Sequence, residues 1–422
     1  MMSHQNHTRI ETLIRKGVRI PNPLSIEIGE EVDLDRISAT GVIIHSGCRI
    51  FGSSTLILRD VTLGDQGPVT IKNCQLGPDV QLHGGFFREA VFLEGAEMGP
   101  NALVREGTIL EEKANAAHCV GLKQTILFPF VTLGSLINFC DCLMSGGTSR
   151  KDHSEVGSSY IHFNYTPNQD KATPSLLGDV PRGVMLDQPP IFLGGQGGIV
   201  GPCRLAFGTV TAAGIICRKD ELRPERLLYG DGTRSGNIPF IRGMVPDVRR
   251  ITINNIIYIA NLIALRQWYY KVRVLFISDD FPDALYHGLV HKLIMAMEER
   301  LVRFEYFCRM VTESIGAEGK SEENGYSQKI ELFRNQPRLD ACLRQSSEYE
   351  GDHSLRDSFL QAITSSIRTC GKDYISVIQG LGDHEKKLGT QWLQGIVDDV
   401  FSRAMSIIPS FGETGHHRGC NT

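Results

Sequence analysis

The sequence carries no strong excess of charge of either sign. It contains 44 lysines and arginines against 48 aspartates and glutamates, which gives a formal net charge of -4 and a pI near 6.4. A protein that binds nucleic acid or a membrane surface through its overall field needs a basic excess, so we expect neither partner. The net charge does not exclude binding of small anionic ligands, because a few clustered basic side chains suffice to bind them.

Long hydrophobic runs are also missing. The stretch MMSHQNHTRIETL lacks the apolar core of a signal peptide, and the most apolar segment, residues 253–265, is too short to span a bilayer. The eleven cysteines form no CxxC pair, and Cys140 and Cys142 are too close together for a zinc site. These absences predict a reduced, cytoplasmic protein without a membrane span or a metal site.

What the first part of the chain does contain is glycine, which is dense up to about residue 236 and sparse beyond it. There, apolar residues recur in steps of six, most clearly at Met98, Val104 and Leu110. This period is typical of a parallel β-helix, in which one aliphatic side chain per step fills a narrow triangular core and three steps make one coil. A glycine-rich β-sandwich is the alternative, although its strands would alternate with period two.

From about residue 247 the spacing of apolar residues becomes helical. Asp280-Phe281-Pro282 suits the start of a helix that continues to about Ile315, and further helices are predicted over 249–274 and 386–407. The predicted domains are an N-terminal helix and lead-in (1–22), a β-helix (23–236) and an α-helical domain (247–422). The helical domain shows no constellation of residues that indicates chemistry, and it is predicted to be a packing or oligomerisation module.

Three segments of the first half place functional residue types in a specific order. They are MGPNALVREGTILEEKANAAHCVGLKQTIL (98–127), VGSSYIHFNYTP (156–167) and TVTAAGIICRKD (209–220), in which Arg and Lys precede Asn-Tyr and then Ala-Ala-Gly. Because its functional residue types follow this order, about half of the chain resembles the left-handed β-helix acetyltransferase domain of the bacterial bifunctional enzymes of UDP-N-acetylglucosamine synthesis. Those enzymes combine glucosamine-1-phosphate acetyltransferase and N-acetylglucosamine-1-phosphate uridyltransferase activities.

The resemblance implies a mainly β fold, a single-stranded left-handed parallel β-helix of hexapeptide repeats, here followed by the α-helical domain. It also implies a homotrimer with clefts between subunits. No glycine-rich nucleotide-binding loop precedes the predicted β-helix. We therefore expect the uridyltransferase domain to be absent and nucleotidyl transfer not to occur.

The resemblance also assigns residues to a substrate site. Arg105 and Lys123 match the family's sugar-phosphate ligands, and their spacing of eighteen places them one coil apart on the same face. A planar guanidinium beside an ammonium suits a phosphate, although two solvated surface charges are the alternative. Asn164 and Tyr165 match the family's Asn-Tyr pair at the site of acetyl transfer, and Lys171 is the nearest match to its following lysine.

The coenzyme site is predicted from the same resemblance. Ala212 and Ala213 match the small residues beside the coenzyme A arm, while Gly195 stands where the family has a serine, which removes one hydrogen-bond donor. Small residues at a β-helix corner are equally expected for packing. The predicted cofactor is acetyl-coenzyme A.

The catalytic base is where the sequence departs from the family. The family's base is a histidine twelve residues after the lysine, and that position holds Ser135, which cannot accept a proton near pH 7 without a separate base. The loop TSRKDHSE is an insertion predicted to leave a corner of the β-helix, and His153 on it is the predicted substitute. An exposed loop histidine without a role is the alternative, and His162 is predicted to face either the cleft or solvent.

Two functions are left open by these patterns. The first is an acyltransferase of the hexapeptide class that binds a sugar phosphate or nucleotide sugar and acetylates an amino sugar. The second is a non-catalytic nucleotide-sugar-binding or scaffold protein that has lost the base. A metal site like that of γ-class carbonic anhydrases is a weaker third, since His83, His118, His153 and His162 lack the spacing of one corner.

Overall fold

The structure, a computed structural model, describes residues 4–166, 171–230, 237, 245, 247–317 and 326–412. Between residues 27 and 228 short strands stack in parallel, coil upon coil, and this confirms the predicted parallel β-helix. Face 1 consists of ten strands: Ile43–Ile44, Thr62–Leu63, Gln81–Leu82, Glu97–Met98, Asn115–Ala116, Thr132–Leu133, Glu155–Val156, Phe192–Leu193, Val210–Thr211 and Leu227–Leu228.

The second sheet of the β-helix supplies its two other faces. Face 2 contains the strands Glu27–Ile28, Arg49–Phe51, Val69–Lys72, Gly85–Arg88, Ala102–Val104, Tyr160–Phe163, Gly198–Val200 and Ile216–Cys217. Face 3 contains Leu56–Ile57, Gln75–Leu76, Ala90–Phe92, Thr108–Leu110, Ser175–Leu177 and Arg204–Leu205. Two longer strands, Gly121–Leu127 and Ile137–Met144, turn the corner and belong to both faces.

Most corners of the coil are turned by a residue with positive φ. At the edge between faces 1 and 2 (edge 1/2) these residues include Cys119, Leu136, Ser159 and Gln196, with φ of 58°, 60°, 63° and 53°. The left-handed conformation costs a non-glycine residue free energy, but it turns the chain sharply from one face to the next. Because the corner falls at the same place in each coil, side chains at an edge form columns parallel to the axis.

Helices make up the remainder of the described chain. They are α1 (His4–Lys16), α2 (Val180–Gly183), α3 (Val248–Lys271), α4 (Asp283–Ala317), α5 (Tyr326–Ser346), α6 (His353–Cys370), α7 (Tyr374–Gln379) and α8 (Asp383–Ile407). Short 3₁₀ turns lie at Pro23–Ser25, Leu34–Arg36, Arg273–Phe276 and Pro409–Phe411. The helical C-terminal region is thus confirmed, and none of the helices in the described ranges is long and apolar enough to cross a membrane.

The helical region covers face 3. Helix α4 contacts the strands Gln75–Leu76, Ala90–Phe92 and Thr108–Leu110, and α3 contacts Ser175–Leu177. Most face 3 strands are accordingly buried on both sides and show continuous apolar stretches, whereas most strands of face 1 alternate between an outward and a buried residue. Only faces 1 and 2 therefore remain largely open to ligands or to other chains.

Buried ion pairs hold α4 against the edge between faces 2 and 3 (edge 2/3). The ammonium of Lys292 lies 2.5 Å from the Glu89 carboxylate, and the guanidinium of Arg300 lies 2.8 Å from that of Asp141. The basic side chains are only 1% and 3% exposed. A buried charge that loses its partner is strongly destabilising, so these pairs fix the position of α4 along the β-helix.

A third pair joins the helical region to the edge between faces 3 and 1 (edge 3/1). The Arg273 guanidinium donates a hydrogen bond to Glu112 and lies between the rings of Phe281 and Tyr374, 4.8 Å and 3.8 Å from their centroids. Such stacking suits arginine, whose guanidinium is more weakly hydrated than an ammonium. The two regions are therefore joined along both edges of face 3.

The inserted segment after Gly146 forms an antiparallel hairpin, Gly147–Ser149 with Asp152–His153, at edge 3/1. Arg150 on its tip donates hydrogen bonds to the carbonyl oxygens of Lys113 and Phe130, 3.1 Å and 3.0 Å away. The hairpin is thereby attached to the edge from which it emerges.

Replacement of Lys292 by methionine should destabilise the protein, because the Glu89 carboxylate then loses its buried cation. We expect a loss of about 3 kcal/mol in the free energy of unfolding, measured by urea titration. The double variant Lys292→Met with Glu89→Gln should lose less, since no unpaired charge remains. The exposed Lys387→Met is the matched control, expected within about 0.5 kcal/mol of the unmodified protein; equal losses in the single and double variants would contradict the buried pair.

Candidate functional site

Face 2 is bordered by two columns of polar side chains, one on each edge. On edge 2/3 the register pairs Val104 with Leu122, so the residues that follow them, Arg105 and Lys123, occupy equivalent places in adjacent coils. Lys123 in turn pairs with Cys140 of the next coil. The two predicted phosphate ligands are therefore brought together, both half-buried, on the same edge.

The carboxylate of Glu106 lies within this basic group. It is 3.0 Å from the Lys123 ammonium and 2.7 Å from the Arg88 guanidinium. Partial burial raises the pKa of Glu106, but the hydrogen bonds from Arg88 and Lys123 outweigh it and lower the pKa to about 2. Glu106 is thus ionised at every physiological pH and would compete with any anionic ligand for Lys123. Arg105 forms no ion pair within the described residues.

The Asn164 side chain is held by a relay that starts on helix α4. Its amide forms a hydrogen bond with the Asp141 carboxylate, which pairs with Arg300. Burial raises the pKa of Asp141, and the charge of Arg300 opposes this rise. The same guanidinium reaches the carbonyl oxygen of Lys171 at 3.5 Å. A residue of the helical region therefore positions a predicted site residue through a buried carboxylate.

The other two predicted substrate ligands, Tyr165 and Lys171, lie between the face 2 strand Tyr160–Phe163 and the face 3 strand Ser175–Leu177. Tyr165 is 66% exposed and meets the ring of Phe163 edge to face, 6.4 Å between centroids. The side chain of Lys171 is exposed as well. The described contacts do not fix either side chain over face 2.

Edge 1/2, on the other side of face 2, carries a serine and a histidine in contact. The Oγ of Ser135 lies 2.8 Å from Nδ1 of His118, which stands one coil earlier, and His118 is exposed. The Ser135 amide donates a hydrogen bond to Ser158 Oγ of the following coil, 3.1 Å away. An imidazole therefore lies directly beside the position where the family resemblance leads one to expect a base.

The predicted coenzyme residues continue the same column. The Gly214 amide donates to the carbonyl oxygen of Gly195, 2.9 Å away, and Ala212 and Ala213 directly precede Gly214 at this corner. A Cβ on Gly195 would lie 2.8 Å from the carbonyl oxygen of Ser158, so a side chain there would require the backbone to shift. The absence of the family's serine thus accompanies tight stacking of the coils.

His153 lies elsewhere in the fold. It sits on the hairpin at edge 3/1, the one edge that does not border face 2, and its Nε2 is 3.7 Å from the Glu155 carboxylate. Its role as the base stays a prediction. Within one chain, His118 lies on an edge of face 2 and His153 does not.

The remaining histidines have structural surroundings. His162 is buried inside the β-helix, with its Nε2 2.8 Å from Ser175 Oγ, and burial lowers its pKa to about 3. It faces neither the cleft nor solvent, because it alternates with the outward Ile161 and so points into the core. His83 lies between the carboxylates of Asp65 and Glu97, 2.7 Å and 2.9 Å away. Across the ranges described, no group of three or more His, Cys, Asp or Glu gathers to hold a metal ion.

Three neighbours of the site were not predicted from the sequence: His118, Glu106 and Arg300. His118 could have been found by counting coils, since Ser135 lies seventeen residues after it and Asn115 pairs with Thr132 at the same spacing. Glu106 could have been suspected as the residue next to Arg105. Nothing in the sequence indicates that Arg300 reaches edge 2/3, because that depends on how α4 packs against the β-helix.

Comparison with known proteins agrees with the resemblance over about half of the chain. No protein-family model matches the sequence. The bifunctional protein GlmU of Thermotoga maritima is 24% identical over 215 residues, which are 50% of this chain and 42% of that protein. GlmU of Clavibacter sepedonicus is 26% identical over 204 residues, 48% of this chain and 36% of its own length. GlmU of Pseudomonas putida strain GB-1 is 27% identical over 203 residues, 48% and 39%.

The chain thus matches about two fifths of the length of these curated relatives, and the similarity supports a hexapeptide-repeat protein related to GlmU.

If Lys123 binds anions, Glu106→Gln should tighten the binding of a phosphorylated ligand, because the competing carboxylate is removed. An ion pair of this exposure contributes about 1 kcal/mol, so we expect Kd for glucosamine 1-phosphate to fall about fivefold in calorimetry. The exposed Glu225→Gln on edge 3/1 is the control and should leave Kd unchanged. Weaker binding in Glu106→Gln would show that the carboxylate supports the ligand instead.

Proposed function

We propose that this protein is an acetyl-coenzyme A-dependent acyltransferase that acetylates an amino sugar carrying a phosphate or a nucleotide, with face 2 as the reaction surface. The observation that carries the proposal is that the two edges of that face carry different kinds of side chain. Edge 2/3 presents Arg105 and Lys123, which suit a phosphate. Edge 1/2 presents an imidazole and a serine in the column that continues, two coils beyond the serine, to the residues predicted to accept the coenzyme.

On this proposal the phosphate of the acceptor lies against Arg105 and Lys123, and Asn164 orients the acyl or amide group. Asn164 suits this because Asp141 holds its amide, which leaves its carbonyl oxygen to accept a hydrogen bond. Tyr165 and Lys171 would contact the sugar from the same edge. Ala212, Ala213 and Gly195 would leave room for the pantetheine arm.

We further propose a homotrimer in which face 2 lines the cleft between subunits. The outward side chains of Phe86, Leu103, Ile161 and Ile216 on this face are between 37% and 48% exposed. A row of exposed apolar residues is typical of a surface that another chain covers. Face 3 cannot serve, since the protein's own helices cover it. Sedimentation should therefore give three times the chain mass of 46.8 kDa.

We also propose that the protein is cytoplasmic and that its cysteines are reduced. All ten cysteines within the described ranges are free thiols, and most of them are buried. Free thiols are the usual state in the cytosol.

A second candidate function, a non-catalytic receptor for nucleotide sugars, is favoured by two observations. The Lys123 ammonium already forms an ion pair with Glu106, and a serine, Ser135, stands at the position of the family's base. A protein of this kind would bind the sugar ligand on edge 2/3 and have no need of coenzyme A.

The test is the release of free coenzyme A from acetyl-coenzyme A in the presence of glucosamine 1-phosphate, with UDP-glucosamine as a second acceptor. Turnover by the purified protein is expected. Arg105→Ala should raise KM for the phosphorylated acceptor at least tenfold, equivalent to about 1.4 kcal/mol, and leave KM for acetyl-coenzyme A unchanged. The exposed Arg226→Ala is the matched control.

Calorimetry separates the two functions. If acetyl-coenzyme A does not bind while UDP-N-acetylglucosamine does, the acyltransferase proposal fails and the receptor is supported. If neither ligand binds, both are rejected.

A further inference from the structure

His118 and Ser135 occupy equivalent places in consecutive coils. Asn115 pairs with Thr132 across the coils, so the residues three positions further along stand one above the other. The amide of Leu136 donates to the His118 carbonyl oxygen at 3.1 Å, which joins the two corners directly. A side chain that leaves one corner therefore reaches the next without crossing a face.

The imidazole of His118 uses one nitrogen for this contact and keeps the other available. Nδ1 lies 2.8 Å from Ser135 Oγ, a normal hydrogen-bond distance. Nε2 has no hydrogen-bond partner within the residues described, and the side chain is exposed. When Nδ1–H donates to Ser135 Oγ, the neutral tautomer with a lone pair on Nε2 is selected. Ser135 then positions the ring.

We propose that His118 is the general base of acyl transfer and that Ser135 is its positioning residue. This inference rests on the proposed acyltransferase function. Among the described residues, edge 1/2 carries His118 on the same column as the residues predicted to hold the coenzyme, with Gly195 three coils further on and Ala212–Ala213 in the coil after it. The base of the family's chemistry is thus supplied from one coil earlier, and the serine left at the original place holds it.

The reaction balances with these residues alone. The acceptor amine nitrogen forms a bond to the thioester carbonyl carbon of acetyl-coenzyme A, and the carbon–sulfur bond breaks. The proton leaves the amine for Nε2 of His118 and passes to the departing thiolate. The products are the amide and free coenzyme A, and His118 returns to its neutral form.

The experiment uses the full chain with acetyl-coenzyme A and glucosamine 1-phosphate and compares kcat at saturating substrate. Removal of a general base costs about 10²–10⁴-fold, so His118→Ala should lose at least a hundredfold in kcat. Ser135→Ala should lose about tenfold or less, because the base remains but is less well positioned. The exposed His291→Ala on α4 is the matched control and should keep full activity.

Two rescue measurements distinguish chemistry from structure. Added imidazole should restore part of the kcat of His118→Ala, since the site is open to solvent. The double variant His118→Ala with Ser135→His, which moves the imidazole by one coil, should recover at least tenfold over His118→Ala. A purely structural role of His118 would respond to neither.

The outcomes separate this inference from the function on which it rests. If the unmodified protein shows no turnover with any acceptor, the proposed function fails and the inference with it. If turnover is present and His118→Ala leaves it intact, only the inference fails. Loss of turnover in His153→Ala without loss in His118→Ala would make His153 the base. Complete loss in Ser135→Ala would point to an acyl-serine intermediate and overturn the positioning role given to Ser135 and the direct transfer to the amine.

Discussion

The stacking of one coil on the next, residue opposite residue, is the constraint from which the rest of this molecule follows. Because parallel strands pair in register, a corner residue of one coil stands over the corner residue of its neighbour. Side chains are therefore arranged in columns along an edge. A side chain of one coil can lie directly beside one of the adjacent coil, as His118 beside Ser135 illustrates.

The helical region does more than cover a face. Its basic residues Lys292 and Arg300 pair with carboxylates at edge 2/3, and Arg300 reaches Asn164 through Asp141. The geometry of one border of the candidate site thus depends on how well α4 packs. This is a physical connection between the two halves of the chain, and it gives the helices a part in the site as well as in stability.

The sequence predicts the architecture well because both periodicities are strong. Steps of six indicated the coils, and the start predicted at Asp280-Phe281-Pro282 lies directly before α4, which begins at Asp283. The helix predicted over 249–274 corresponds to α3, Val248–Lys271. The column on edge 2/3 could also be predicted from the sequence, since Arg105 and Lys123 are spaced one coil apart. Edge 1/2 was harder, because that coil is seventeen residues long and not eighteen.

What could not be predicted depends on contacts between distant segments. No local pattern shows that the Arg300 guanidinium meets Asp141, or that the hairpin carrying His153 leaves the edge farthest from face 2. The competition of Glu106 for Lys123 depends on the rotamers of three side chains, for which spacing carries no information. Fold and candidate ligands follow from short-range order, whereas the balance of charge within the site does not.

The apolar surface of face 3 also has a consequence for folding during synthesis on the ribosome. The β-helix precedes its covering helices in the chain, so the ribosome releases an apolar parallel sheet before α3 and α4 exist to shield it. Exposed apolar strands are prone to associate with other chains. The interval between synthesis of the last coil and docking of α4 is therefore when a nascent chain is most exposed to aggregation. A chain truncated before residue 283 would keep the part of face 3 that α4 contacts uncovered.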